Sequence, residues 1–331
     1  MRLITGIIAA VFLASLTLAS PASDEADRFV RMGWSNTDFS KTTIPLSEVM
    51  SGGPPRDGIP PIDNPQFQPV SAQEDLSAKD PVVSIEINGD ARAYPLRVLI
   101  WHEIVNDTVG GKPVAVTYCP LCNAAIVFDR MVDGEMKDFG TTGLLRNSDL
   151  IMYDRQSESW WQQFTGKAIA GSEVGSSLKF VAARLESWAD FTSRFPDGKV
   201  LVPNNPGFRN YGRNPYVGYD SAAAPFLYRG KLPEGISPMA RVVIYRINGK
   251  VNAIALSMLR KSEELMHGKV TIKWKAGQAS ALDTGEIAKG RDVGSITVQK
   301  KNAAGNYEDI PYDVTFAFVV EAFEPGTVIQ N

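Results

Sequence analysis

The sequence predicts a β-rich α+β protein: two related hairpin-based subdomains with short helices, preceded by an extended N-terminal segment. Three observations carry this prediction. Hydrophobic residues make up 44% and charged residues 21% of the 331, the composition of an ordinary globular chain. Runs of β-branched and aromatic residues are punctuated by Asn-Gly and Gly-Gly pairs, the strongest short-range hairpin signal. One such pattern also occurs twice at a constant offset, the mark of an internal duplication.

The chain opens with Met1-Arg2, an apolar run from Leu3 to Leu18 and the small residues Ala19-Ser20-Pro21-Ala22-Ser23. This reads as a secretory signal peptide over 1–22. The run is short for a membrane span, and acidic rather than basic residues follow it. A periplasmic or secreted protein is therefore expected, with no membrane span after cleavage. Cleavage leaves 33 basic against 37 acidic residues, and the chain has no basic block, so nucleic acid is not an expected partner. The identity of any protein or small-molecule partner stays open.

Residues 23–80 are rich in Pro and Gly, as in Gly52-Gly53-Pro54-Pro55 and Gly58-Ile59-Pro60-Pro61, and read as an extended segment that wraps a folded body. A first repeat is expected over 81–202. It begins Val82-Val83-Ser84-Ile85-Glu86-Ile87-Asn88-Gly89, a strand entering a hairpin turn. The same text returns from Val242, with Ile247-Asn248-Gly249 at an offset of 160, and a second, divergent repeat is expected over 236–331. The Pro-, Asn- and Tyr-rich stretch 203–235 reads as the linker between them. Within the first repeat Ser187 is a predicted helix cap, with Trp188, Phe191 and Phe195 on one face and Pro196 as the stop.

Chemistry must come from a small set of side chains. The chain holds only Cys119, Cys122, His102 and His267 among cysteines and histidines, which excludes four-cysteine and three-histidine zinc sites and any disulfide-rich scaffold. If Gly110 and Gly111 are the central turn residues of the second hairpin, paired positions sum to 221 and His102 stands opposite Cys119. Cys119-Pro120-Leu121-Cys122 then forms a knuckle at a strand end. Pro120 fixes one φ there, and Asn123 tolerates a left-handed conformation. Two thiolates and an imidazole suit Cu(I) or Zn(II), with Met152 as a candidate fourth ligand. The same pair could instead act as a dithiol-disulfide oxidoreductase, or close as a passive disulfide in a non-catalytic envelope binding module. A disulfide across so short a loop contributes only about 2 kcal/mol.

Asn123 after the second cysteine excludes c-type haem attachment, and no nucleotide or flavin fingerprint is present. Arg146, Asp149, Asp154 and Arg155 are candidates for a polar pocket beside the sulfurs, and the pair Trp160-Trp161 for a stacking surface. His267, in Met266-His267-Gly268, reads as an exposed turn residue.

Several segments together resemble the bacterial family catalogued as domain of unknown function 3179. They are Asp57-Gly58-Ile59-Pro60-Pro61-Ile62, Ala93-Tyr94-Pro95-Leu96, Trp101-His102-Glu103-Ile104-Val105-Asn106-Asp107, Thr117-Tyr118-Cys119-Pro120-Leu121-Cys122, Leu144-Leu145-Arg146-Asn147-Ser148-Asp149-Leu150 and Met152-Tyr153-Asp154-Arg155. The resemblance implies an exported protein with His102, Cys119 and Cys122 as hallmark positions. It supplies no reaction.

Overall fold

The computed structural model describes residues 21–331 of the chain. Apart from its last two residues, the leader expected over 1–22 lies outside them. Helix α1 (Pro21–Arg31) opens the described chain, so the N-terminal segment is helical at its start and extended only afterwards. It continues through the short strands β1 (Val49–Ser51) and β2 (Gln66–Pro69). Phe29 and Trp34 bury their rings edge-on against Trp160, forming a second core of their own.

The first half begins with β3 (Pro81–Ile87), β4 (Asp90–Pro95), α2 (Leu96–His102), β5 (Ile104–Val109), β6 (Lys112–Cys119) and β7 (Ala124–Asp129). Asn88 and Gly89 turn β3 into β4 with φ of 52° and 82°, and Gly110 and Gly111 turn β5 into β6 with 53° and 84°. Both are the doubly left-handed turns that suit twisted hairpins. A ribbon β8–β9 (Met131–Val132, Glu135–Met136) then leads to β10 (Phe139–Arg146), β11 (Asp149–Asp154), β12 (Trp160–Gln162) and β13 (Lys167–Ala170). These four strands and β1 form one antiparallel sheet. The half closes with β14 (Lys179–Val181), β15 (Arg184–Ser187), α3 (Trp188–Arg194) and β16 (Lys199–Val202). Ser187 caps α3, its side chain accepting from the Asp190 N–H.

The second half runs β17 (Arg241–Ile247), β18 (Lys250–Ala255), α4 (Leu256–Ser262), β19 (Glu264–His267) and β20 (Val270–Lys275). It ends with β21 (Ser295–Lys301), β22 (Tyr307–Asp309), β23 (Tyr312–Phe316), α5 (Ala317–Phe323) and β24 (Ile329–Gln330). Its element order matches that of the first half with β8–β13 removed. Sheet order matches as well: β15-β3-β4-β16 beside β23-β17-β18-β24, and β14-β7-β6-β5 beside β22-β21-β20-β19. Even the residue that ends the third element agrees, since Glu103 and Glu263 both adopt φ 58°, ψ −32°. One continuous apolar core draws on both halves, from Val83 and Val116 to Ile272 and Phe318.

Candidate functional site

The Cys-Pro-Leu-Cys segment is a tight connection between β6 and β7. Cys119 pairs with Ala124, leaving residues 120–123 to make the turn. Asn123 adopts φ 53°, and its N–H donates to the Pro120 carbonyl at 3.1 Å. This left-handed residue reverses the chain and brings the second sulfur beside the first.

The knuckle is clamped by the second half of the chain. Asn123 Nδ2 donates to the Val314 carbonyl at 2.6 Å, and the Ala125 N–H donates to Asp313 Oδ1 at 2.9 Å. Thr315 Oγ1 donates to the Cys122 carbonyl at 2.8 Å, and the Phe316 N–H reaches the same carbonyl at 3.3 Å. The second half carries no cysteine of its own, yet β23 holds the cysteines of the first. In the second half the corresponding connection, from β20 to β21, is a long excursion over residues 276–294.

A hairpin from the inserted sheet supplies the third side. Asn147 and Ser148 turn β10 into β11 with φ of 52° and 66°, and Arg146 pairs with Asp149 across the turn. Cys122 Sγ lies 3.5 Å and Cys119 Sγ 3.8 Å from the Ser148 carbonyl, so both thiols point to one acceptor. Next to it, Asp149 Oδ2 accepts from Gln162 Nε2 at 2.6 Å and from the Phe164 N–H at 2.9 Å. Its other oxygen, Oδ1, is buried and has no hydrogen-bond partner. Ligand atoms of Cys119, Cys122 and Asp149 all lie within 4.8 Å of one another, a spacing at which they could hold a metal ion.

The linker covers the cluster from outside. Ser148 Oγ donates to the Phe226 carbonyl at 2.5 Å, and Tyr219 OH donates to the Leu121 carbonyl at 3.0 Å. Cys122 is 0% and Cys119 2% exposed.

Electrostatically the site is a pocket of acids. Burial pushes the Asp149 carboxyl up to about 6, against the opposing pull of the Phe164 N–H, the Gln162 amide and the two thiols. Glu103 is buried as well, and burial, with repulsion from Asp149, raises it to about 8. Burial lifts both thiols, Cys122 well above its ordinary value, and Asp149 adds to the effect on each. Neither lysine nor arginine is among the groups that act most strongly on these four acids. Buried anions without a counter-charge are costly, so the cluster must either keep its protons or share a cation.

The other residues singled out by the sequence are placed differently. His102 does not enter the cluster. Strands β5 and β6 do pair with positions summing to 221, but only from Ile104 onward. His102 instead ends helix α2, and the sharp turn at Glu103 directs its ring to the other side. There its Nδ1 lies 2.7 Å from the Pro60 carbonyl and its Nε2 2.8 Å from the Tyr211 hydroxyl. Met152 is a fully buried core residue paired with Trp161.

Of the four candidate pocket residues only Asp149 reaches the sulfurs. Arg146 pairs with Glu48 at 2.7 Å and Arg155 with Asp63 at 2.7 Å, while Asp154 accepts from Ser157 and from Trp161 Nε1. Trp160 and Trp161 point to opposite faces of their sheet, and both are buried because α1 and the chain after it cover the outer one. His267 sits exposed at a hairpin end, 3.0 Å from the Tyr245 hydroxyl. Glu103 was missed by the sequence reading. Its signals there were an acid placed between two apolar runs and a place in the Trp101–Asp107 segment that carries the family resemblance.

The fold and the cluster define a class: a β-rich α+β protein with a buried Cys-Cys-carboxylate group clamped between its two halves. Residues 56–327 match the profile of the family described as "Protein of unknown function (DUF3179)", and the chain belongs to that family. Searches of curated proteins and of solved structures returned no match. Among the described residues, no helix is long and apolar enough to cross a membrane.

Proposed function

We propose that this is an exported protein that holds a thiophilic metal ion, Zn(II) in preference to Cu(I), through Cys119, Cys122 and Asp149. The observation that carries the reading is the buried group itself: ligand atoms of Cys119, Cys122 and Asp149 lie within 4.8 Å of one another, and Asp149 Oδ1 accepts no geometric hydrogen bond. A dication there would draw off the thiol protons, supply the missing partner and offset most of the charge of two thiolates and a carboxylate. A carboxylate beside two sulfurs favours borderline Zn(II), whereas Cu(I) prefers sulfur or imidazole alone. Glu103, raised to about 8 by burial and by repulsion from Asp149, lies near this group and outside its set of ligands. Export to the periplasm or beyond rests on the leader-like N-terminus.

Burial of the thiols argues for a held metal and against exchange chemistry. A dithiol oxidoreductase needs an exposed sulfur of lowered pKa, and both cysteines here are enclosed and raised. The test is to purify the mature protein without a chelating tag and measure metal and free thiols together. One zinc per chain is expected, lost in Cys119→Ser and weakened in Asp149→Asn but kept in His102→Ala. A metal-free protein with an intact disulfide would overturn the proposal.

A further inference from the structure

A cleft of about 590 Å³ opens between β2, the start of α2 and the linker. Arg97 and Arg209 line it. Neither guanidinium lies within 4.0 Å of a carboxylate among the described residues, whereas Arg92, Arg155, Arg184 and Arg241 are all ion-paired. Asp75 lines the same cleft, but its carboxylate pairs with neither arginine.

Both arginines are nevertheless held. Arg97 Nη1 donates to the Asp75 carbonyl at 2.6 Å and Nη2 to the Tyr211 carbonyl at 3.2 Å. Gly212, at φ 91°, makes room for it, since a Cβ there would stand 2.9 Å from Arg97 Nη2. Arg209 lies over the Phe208 ring at 4.3 Å and faces Trp101 at 5.8 Å, and its buried Nε has no partner. Gln66, Gln68, Gln73 and Asn204 also line the wall. Two arginines positioned by carbonyls and aromatic rings, with donors left over, match the planar two-point recognition of an oxyanion. The volume lies within the range of small-molecule sites.

We propose that this cleft binds a small ligand bearing a carboxylate or phosphate group, gripped by Arg97 and Arg209. The site is independent of the metal reading. Tyr211 joins it to His102, offering its carbonyl to Arg97 and its hydroxyl to His102 Nε2. An anion seated between the arginines therefore perturbs the His102 ring, while His267, the only other histidine, stays as it is.

The experiment titrates the mature protein with inorganic phosphate and, separately, with citrate. Isothermal calorimetry gives affinity, and histidine ring NMR signals give location. Saturable binding of at least one probe is expected, with movement of the His102 signals alone. Arg97→Gln and Arg209→Gln should each weaken it at least about tenfold, the loss of one charged hydrogen-bonding group. Arg260→Gln, which removes a guanidinium stacked 5.5 Å from Trp274 outside the cleft, should leave it unchanged. If Arg209→Gln does not fold, Arg209→Lys keeps the charge but loses the fork, and should still weaken binding. The tighter probe assigns the ligand class. Absence of saturation with both probes, or equal weakening in Arg260→Gln, would overturn the proposal.

Discussion

Replacing Asp149 by asparagine should change stability in opposite directions with and without metal. In the metal-free protein the Asp149 carboxyl titrates near 6 in place of its ordinary 3.8, because burial disfavours the anion. The folded state therefore binds this proton more tightly than the unfolded chain does. Stability is undiminished below about pH 4, falls as the pH rises through about 6, and is flat above that. The gap between the two values corresponds to about 3 kcal/mol, the most that the ionised carboxylate can cost above pH 7. Asparagine keeps an oxygen for the Phe164 N–H and the Gln162 amide and removes the charge.

Urea unfolding followed by circular dichroism, in reductant and chelator, should find Asp149→Asn more stable than the parent at pH 8 by up to about 3 kcal/mol. At pH 4 the two should be equal. With excess zinc the order should invert, because the asparagine variant gains less from the ion that an anionic ligand holds. Two results would refute the reasoning: a variant less stable than the parent at pH 8 without metal, or an equal zinc increment in both proteins.

Other expectations follow from the same geometry. Glu103 is raised to about 8, so the metal-free protein should lose stability between pH 5 and 8, and Glu103→Gln should flatten that slope in a pH series of unfolding curves. With both cysteines at most 2% exposed, a thiol reagent such as Ellman's should label the native chelated protein at least about a hundredfold more slowly than the unfolded chain. Labelling at the unfolded rate would restore the exchange reading. Asn123→Ala removes both the bond to Val314 and the side-chain amide that lets asparagine tolerate φ 53°, and should cost about 2–3 kcal/mol in denaturant unfolding. Asn123→Gly should cost less.

Local features were legible in the sequence because their causes are local. Asn88-Gly89 and Gly110-Gly111 announce their turns, the latter sets the β5–β6 register, and Ser187 announces a helix. The thiol knuckle was legible for the same reason. His102 was misplaced by carrying strand pairing two residues too far: Leu96–His102 is a single helix, and the turn at Glu103 reverses which side chain faces the sulfurs. Asp149 could be named as a candidate but not ranked above Arg146, Asp154 and Arg155. Its nearness to the thiols depends on how the inserted sheet docks on its neighbour, and that contact has no periodic signature. The covering of Trp160 by Phe29 and Trp34 escaped for the same reason.

The clamp on the knuckle also bears on the timing of maturation. The bonds from Asn123 to Val314 and from Thr315 to the Cys122 carbonyl join positions 191 and 193 residues apart. In a chain synthesised from its N-terminus, the cysteines emerge long before the strand that encloses them. Contacts so distant in sequence are among the slowest to form. Until β23 docks, the two thiols lack the cover that the finished fold gives them. Under the proposed function, the choice between oxidation and metal loading therefore falls in the folding chain, before the finished site exists.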